Sequence, residues 1–133
     1  MSLVVDASIV VAALVDEGPN GVWAEGMLTS DDLVAPHLVR VESTNVLRRA
    51  IDSGRLSIQE ASLAQLDLMA LRMQLFPFEP FATRIWELRT NLTAYAAWYV
   101  ALAEAFGLPL ATLDRRLARA PGPRCEFLVP PAA

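Results

Sequence analysis

Leu3-Val4-Val5-Asp6-Ala7-Ser8 sets three apolar residues directly before a carboxylate, and Ile9 to Val15 continues the apolar pattern as a helical segment. A short unbroken apolar run reads as a strand buried on both faces rather than one face of an open sheet. The same pattern returns along the chain. Leu33-Val34-Ala35 before Pro36, Gln74 to Phe78, Leu110 to Leu113 ending at Asp114, and the weaker Glu126 to Val129 are the further strand candidates. Helical segments separate them: Val22 to Thr29, His37 to Ile51 stopped by Gly54, Phe81 to Leu88, Ala94 to Phe106, and a short one after Asp114. Ser57-Ile58-Gln59-Glu60 is a capping box opening another helix, since serine and glutamate satisfy each other's backbone amides. Thr93 caps the Ala94 helix and Gly107 stops it. The run from Asp16 to Gly21 is turn chemistry. Buried strands alternating with helices predict an α/β three-layer sandwich, with a mostly parallel sheet of about five strands covered by helices. The 133 residues show no repeat, linker or low-complexity stretch, so a single domain over 1–133 is expected.

Composition removes whole classes of function. All 11 basic residues are arginine. Without lysine there is no phosphate-loop nucleotide binder and no Schiff-base chemistry, and no G-x-G-x-x-G marks a dinucleotide site. The single cysteine, Cys125, forms no internal disulfide and no zinc spacing exists, which fits a reducing compartment. A net charge of -4 lacks the global footprint of a duplex-DNA binder. The apolar N-terminal stretch has no basic residue before it and is interrupted by Asp6, unlike a secretory signal. The longest later apolar stretch, Ala94 to Ala103, is about half of a membrane span. A soluble cytoplasmic protein is expected.

Asp6 and Asp114 both stand where a buried strand gives way to a helix. In open α/β sheets ligands bind outside the carboxyl ends of strands, so two such acids converge if their strands are neighbours. Each taken singly also suits a helix N-cap. Glu42 is the third acid. Its helical neighbours Leu38 and Val46 place it along the apolar stripe, where a carboxylate is costly unless it meets a cation. An internal pair with Arg48 or Arg49 is the structural alternative, and Asn45, one turn on, is placed to orient the carboxylate. Three carboxylates with no partnering histidine or cysteine suit a hard divalent cation such as Mg²⁺. Ser8 and Thr112, each two residues from an acid, are candidate hydrogen-bond donors to the site or simple local caps. Arg115, Arg116 and Arg119 follow Asp114 and are either phosphate contacts for RNA or a solvated helix face. His37, the lone histidine, reads as a structural or surface residue, and Trp23, Trp86 and Trp98, inside helical segments, read as core or interface residues rather than base-stacking platforms.

Taken together these pieces resemble a PIN-domain protein, and within that group a bacterial VapC-type toxin ribonuclease. The resemblance is carried by Val4-Val5-Asp6-Ala7-Ser8, Val41-Glu42-Ser43-Thr44-Asn45-Val46-Leu47, Leu92-Thr93-Ala94-Tyr95 and Ala111-Thr112-Leu113-Asp114-Arg115-Arg116-Leu117. No single piece is specific; their order and spacing are. The resemblance implies an acidic cluster at Asp6, Glu42 and Asp114 that binds Mg²⁺ or Mn²⁺ and hydrolyses RNA phosphodiesters. It also implies a small antitoxin partner that blocks the site, and homodimerisation. The family carries a further aspartate directly after the tyrosine of L-T-A-Y, and here that position is Ala96. An acid there, third in a capped helix, would be favoured by the helix dipole. Alanine adds neither ligand nor charge, so weak metal binding and poor cleavage are expected of this chain. Either the residue was placed deliberately to silence a toxic nuclease, or a natural member lost activity and kept its binding surface.

Two other folds with strand-end acids fail on residue content. A response-regulator receiver needs a lysine, and an aspartyl-nucleophile phosphatase needs a lysine and an acid where Ser8 stands. A PIN-like module that binds antitoxin or RNA without cutting is the non-enzymatic alternative. A generic doubly wound domain with structural acids predicts no response to metal.

Overall fold

The structure is a computed structural model that describes residues 1–29 and 32–132; positions 30, 31 and 133 of the expected domain span lie outside the described residues. The elements run β1 (Ser2–Val5), α1 (Ala7–Val15), α2 (Pro19–Leu28), β2 (Asp32–Pro36), α3 (Leu38–Asp52), α4 (Ile58–Ala70), β3 (Gln74–Phe76), a single 3-10 turn (Glu79–Phe81), α5 (Ala82–Glu87), α6 (Ala94–Phe106), β4 (Leu110–Ala111), α7 (Arg115–Arg119) and β5 (Phe127–Leu128). The five strands form one sheet in the order β3-β2-β1-β4-β5, every neighbouring pair parallel.

That order follows from the apolar strand runs. Leu3, Val4 and Val5 are fully buried, which suits β1 at the centre, with β2 on one side and β4 on the other. From β1 the chain steps outward to β2 and β3, then crosses back to β4 on the far side of β1. Right-handed crossovers therefore put α1 to α4 on one face and α5 to α7 on the other, the three layers expected of the sequence. α6 lies along the middle of its face, touching β1, β2 and β4. Ala97, Tyr99, Val100, Ala101, Leu102 and Ala103 are all buried, so nearly the whole girth of this helix is core.

Local chemistry sets the helix ends. Both hydrogen bonds of the Ser57–Glu60 capping box form, and Thr93 accepts from the Ala96 amide to open α6. Gly107 closes α6 in the left-handed conformation, φ 63°. α2 starts earlier than the turn residues suggest, at Pro19, because proline is at home in a first turn where its missing N–H is not needed. Gly21 then lets α2 press against the end of α1: a Cβ there would stand 1.7 Å from the Asp16 carbonyl oxygen. β3 stops at Phe76, before Pro77, which has no amide to give to a ladder, and Phe78 instead packs edge-on against Trp98. β4 is two residues long rather than four: the Thr112 amide still donates to the Leu128 carbonyl oxygen at 3.0 Å, but the Leu113 amide turns away to the Ser8 hydroxyl and the ladder stops.

At the opposite edge of the sheet, a mostly buried ion pair ties the last segment down. The Arg84 guanidinium grips both Glu104 oxygens, at 2.7 and 3.2 Å, and also donates to the Gly122 carbonyl oxygen. Glu104 accepts in addition from the Arg124 amide. Burial raises the Glu104 pKa, but the Arg84 and Arg124 donors outweigh it and hold the carboxyl below its usual range. No helix among the described residues is long and apolar enough to cross a membrane. Arg84→Met leaves Glu104 without its counter-ion and is expected to lower unfolding free energy by about 3 kcal/mol in urea titrations. A carboxyl with a depressed folded pKa stabilises above its unfolded pKa and loses that contribution as pH falls through the folded value. The difference between Arg84→Met and the parent should therefore shrink below about pH 4.

Candidate functional site

The strand order reverses at β1, between β2 and β4, and this switch point is where an open parallel sheet leaves a crevice at its carboxyl edge. Two of the three sequence-predicted acids stand there. The register pairs Val5 with Ala111, so Asp6 leaves β1 beside Thr112, and Asp114 follows two residues on. α6 precedes β4 and runs back across the sheet, so its first turn, with Ala96, comes to the same edge.

Asp6 is 9% exposed and fully engaged. Oδ1 accepts from the Ser8 hydroxyl at 2.5 Å and from the Ile9 amide at 3.2 Å, and Oδ2 accepts from the Thr112 hydroxyl at 2.5 Å. Asp6 is thus both the N-cap of α1 and the end of a bridge to β4. The two hydroxyls are themselves held: Ser8 accepts from the Leu113 amide and Thr112 from the Asp114 amide, each at 3.0 Å. Burial pushes the Asp6 carboxyl up. The donors from Ser8, Thr112 and Ile9 oppose this, and the negative charge of Glu42 raises it further.

Glu42 reaches the same crevice from α3, partly buried. Its Oε1 accepts from the Tyr99 hydroxyl of α6 at 2.6 Å. The expected ion pair with Arg48 or Arg49 does not form with Arg48, which binds Asp52 at 3.1 Å. Asn45 does not orient Glu42 either. It is exposed and accepts from Arg48 Nε at 3.0 Å, because i to i+3 on a helix brings those two together on the outer face. The residue that does hold Glu42 was missed. Its signal was a tyrosine inside an otherwise apolar helix, since a buried phenol hydroxyl needs a partner.

Asp114 is exposed and caps α7, its Oδ1 accepting from the Arg116 and Leu117 amides at 3.0 and 3.1 Å. Arg116 and Arg119 are exposed one turn apart on α7. Arg115 instead donates to the Pro130 carbonyl oxygen and secures the C-terminal segment. His37 is an exposed residue at the start of α3, and Trp86 stands in solvent with the Arg89 guanidinium 4.5 Å over its ring.

Among the described residues no three histidine, cysteine or acidic side chains converge tightly enough to form a ready-made cage. The arrangement suits a looser mode, in which a hard cation takes one or two carboxylates and keeps several waters. The charge of Glu42 reaches Asp6, in a place where burial already disfavours a lone anion. A divalent cation is the species that relieves both effects.

The PIN domain profile matches residues 3–123. Ribonuclease VapC1 of Mycobacterium tuberculosis is 43% identical over 125 residues, covering 93% of this chain and 94% of that protein. Among solved structures, PAE2754 from Pyrobaculum aerophilum superposes with TM-score 0.65 at 26% identity, over 89% of this chain and 86% of the other. VapBC2 from Rickettsia felis, solved bound to a DNA fragment from their promoter, gives TM-score 0.67 at 16% identity over 97% and 98% of the two chains. The profile spans most of the chain, and the chain belongs to the PIN-domain family.

The raised Asp6 pKa gives a sign to a stability measurement. Between its unfolded value near 3.8 and its higher folded value, the native state holds a proton that the unfolded chain has released, so stability from this group is lost as pH rises through that window. Asp6→Asn keeps a good N-cap and removes the ionisation. Its thermal midpoint should gain on the parent as pH is raised from about 4 to 7 without divalent metal, and added Mn²⁺ should narrow the gap by stabilising the parent alone.

Proposed function

We propose that this chain is the toxin half of a toxin–antitoxin pair, a divalent-metal-dependent endoribonuclease built as one PIN domain over 1–133 and impaired by Ala96. The observation that carries the reading is the meeting of Asp6 and Glu42 at the switch point, in a chain so similar in sequence to a VapC ribonuclease. Asp6 and Glu42, with Asp114 at the rim, would hold Mg²⁺ or Mn²⁺. When bound, such an ion polarises the phosphoryl group and lowers the pKa of water. The chain's own residues prepare the place. Ser8, Thr112 and the Ile9 amide hold the Asp6 carboxylate in one orientation, so an arriving cation meets an anion that need not reorganise. Arg116 and Arg119 present guanidinium groups to an RNA backbone, with Arg115 contributing charge from its anchored position.

A small antitoxin that covers the site, a homodimer and a cytoplasmic setting complete the proposal. Support for the antitoxin is the fold shared with VapBC2 and with FitAB-type complexes such as FitAcB from Neisseria gonorrhoeae. A second reading, a PIN module that binds antitoxin or RNA without cutting, is favoured by one observation. Ala96, on the inner side of the first turn of α6, offers a methyl group where an acid would add a ligand.

Cleavage assays with Mn²⁺ or Mg²⁺ on the parent and on Ala96→Asp separate these readings. RNA cut by the Ala96→Asp form and spared when chelator is added supports an impaired nuclease. Failure of both forms on a broad set of RNAs leaves the binding module. Arg116→Ala and Arg119→Ala should each weaken RNA binding similarly for all sequences. Each should also lower the slope of log K against log salt by about 0.7 for every phosphate it no longer neutralises.

A further inference from the structure

Tyr99 is 3% exposed on the core side of α6, yet its hydroxyl ends in the acid crevice. It donates to Glu42 Oε1 at 2.6 Å, the length of a hydrogen bond to a charged acceptor, across a sequence separation of 57 residues. The bond joins helices from the two opposite layers of the sandwich. Around Glu42 the neighbouring polar groups of α3 are turned elsewhere: Asn45 serves Arg48, Arg48 serves Asp52, and Thr44 bonds the Arg40 carbonyl and Gln65. A glutamate side chain has three rotatable bonds, so without a partner its carboxylate can swing away from Asp6. The Tyr99 hydroxyl opposes that motion.

We propose that Tyr99 is a positioning residue, whose hydroxyl fixes the Glu42 carboxylate beside Asp6 in readiness for a divalent cation. The proposal rests on the acid-cluster reading of the preceding section. A phenol hydroxyl is a donor to a carboxylate across the neutral range. Its ring is wedged in the core, which makes the donor rigid. It lies one helical turn beyond Ala96 on α6, so that helix acts on the cluster through Tyr99 even where position 96 supplies no acid.

The test is a double-mutant cycle on Mn²⁺ affinity, read by calorimetry and by the paramagnetic resonance of free Mn²⁺, with the full chain in both the parent and Ala96→Asp backgrounds. Tyr99→Phe deletes only the hydroxyl and is expected to weaken Mn²⁺ binding about tenfold. With Glu42→Gln already present, the same change should add less than about twofold, because its effect is routed through Glu42. Glu42→Asp withdraws the carboxylate from the phenol while Tyr99 remains, and should weaken binding by a similar factor with little further loss from Tyr99→Phe. Equal losses from Tyr99→Phe with and without Glu42, or no loss while Glu42→Gln weakens binding, overturn the positioning role and leave the acid cluster standing. Unchanged affinity in Glu42→Gln, or no Mn²⁺ binding in either background, rejects the acid cluster and the role of Tyr99 with it.

Discussion

A carboxylate taken out of water must be met by donors, and Asp6 meets that requirement with partners from two distant parts of the chain. Its Ser8 and Ile9 contacts are local and belong to the start of α1, whereas Thr112 comes from the far end of the sequence. For Thr112 to arrive, β4 must lie beside β1 in one register, Val5 against Ala111. A slip of one residue would turn the hydroxyl to the other face and leave Asp6 Oδ2 without its donor. The position of β4 in turn requires the crossover from β3, which carries α6 across the sheet and delivers Tyr99 to Glu42. One buried acid thus constrains the register, the strand order and the second acid.

The strands and helices were legible because their signals are local. Apolar runs, the Ser57 capping box, Thr93 and Gly107 mark elements whose existence depends on neighbouring residues, and the structure places those elements close to their expected bounds. Errors fell at ends governed by contacts beyond the window. Pro19 opens α2 inside a run that reads as turn, and the Leu113 amide leaves the β4 ladder for the Ser8 hydroxyl.

The site was legible to a similar depth. Asp6, Asp114 and Glu42 stand out as acids in apolar settings. Which polar residue holds Glu42 did not, because Asn45 is near in sequence while Tyr99 is near only in space. Arg48, an expected partner on the same helix, satisfies an exposed i to i+4 pair instead. The sequence displays contacts within one helix, whereas the bond that Glu42 makes joins the two layers. The Arg84–Glu104 pair sits at the opposite edge of the sheet, away from the acids of the candidate site.

The Asp6–Thr112 bond spans 106 positions. A ribosome making this chain releases Asp6 and Glu42 long before Tyr99, Thr112 and Asp114 exist, and neither portion holds the cluster alone. The crevice therefore closes only after residues 99 to 114 have followed. The edge that carries these acids is thus a property of the folded chain, presented by no half-built form of it.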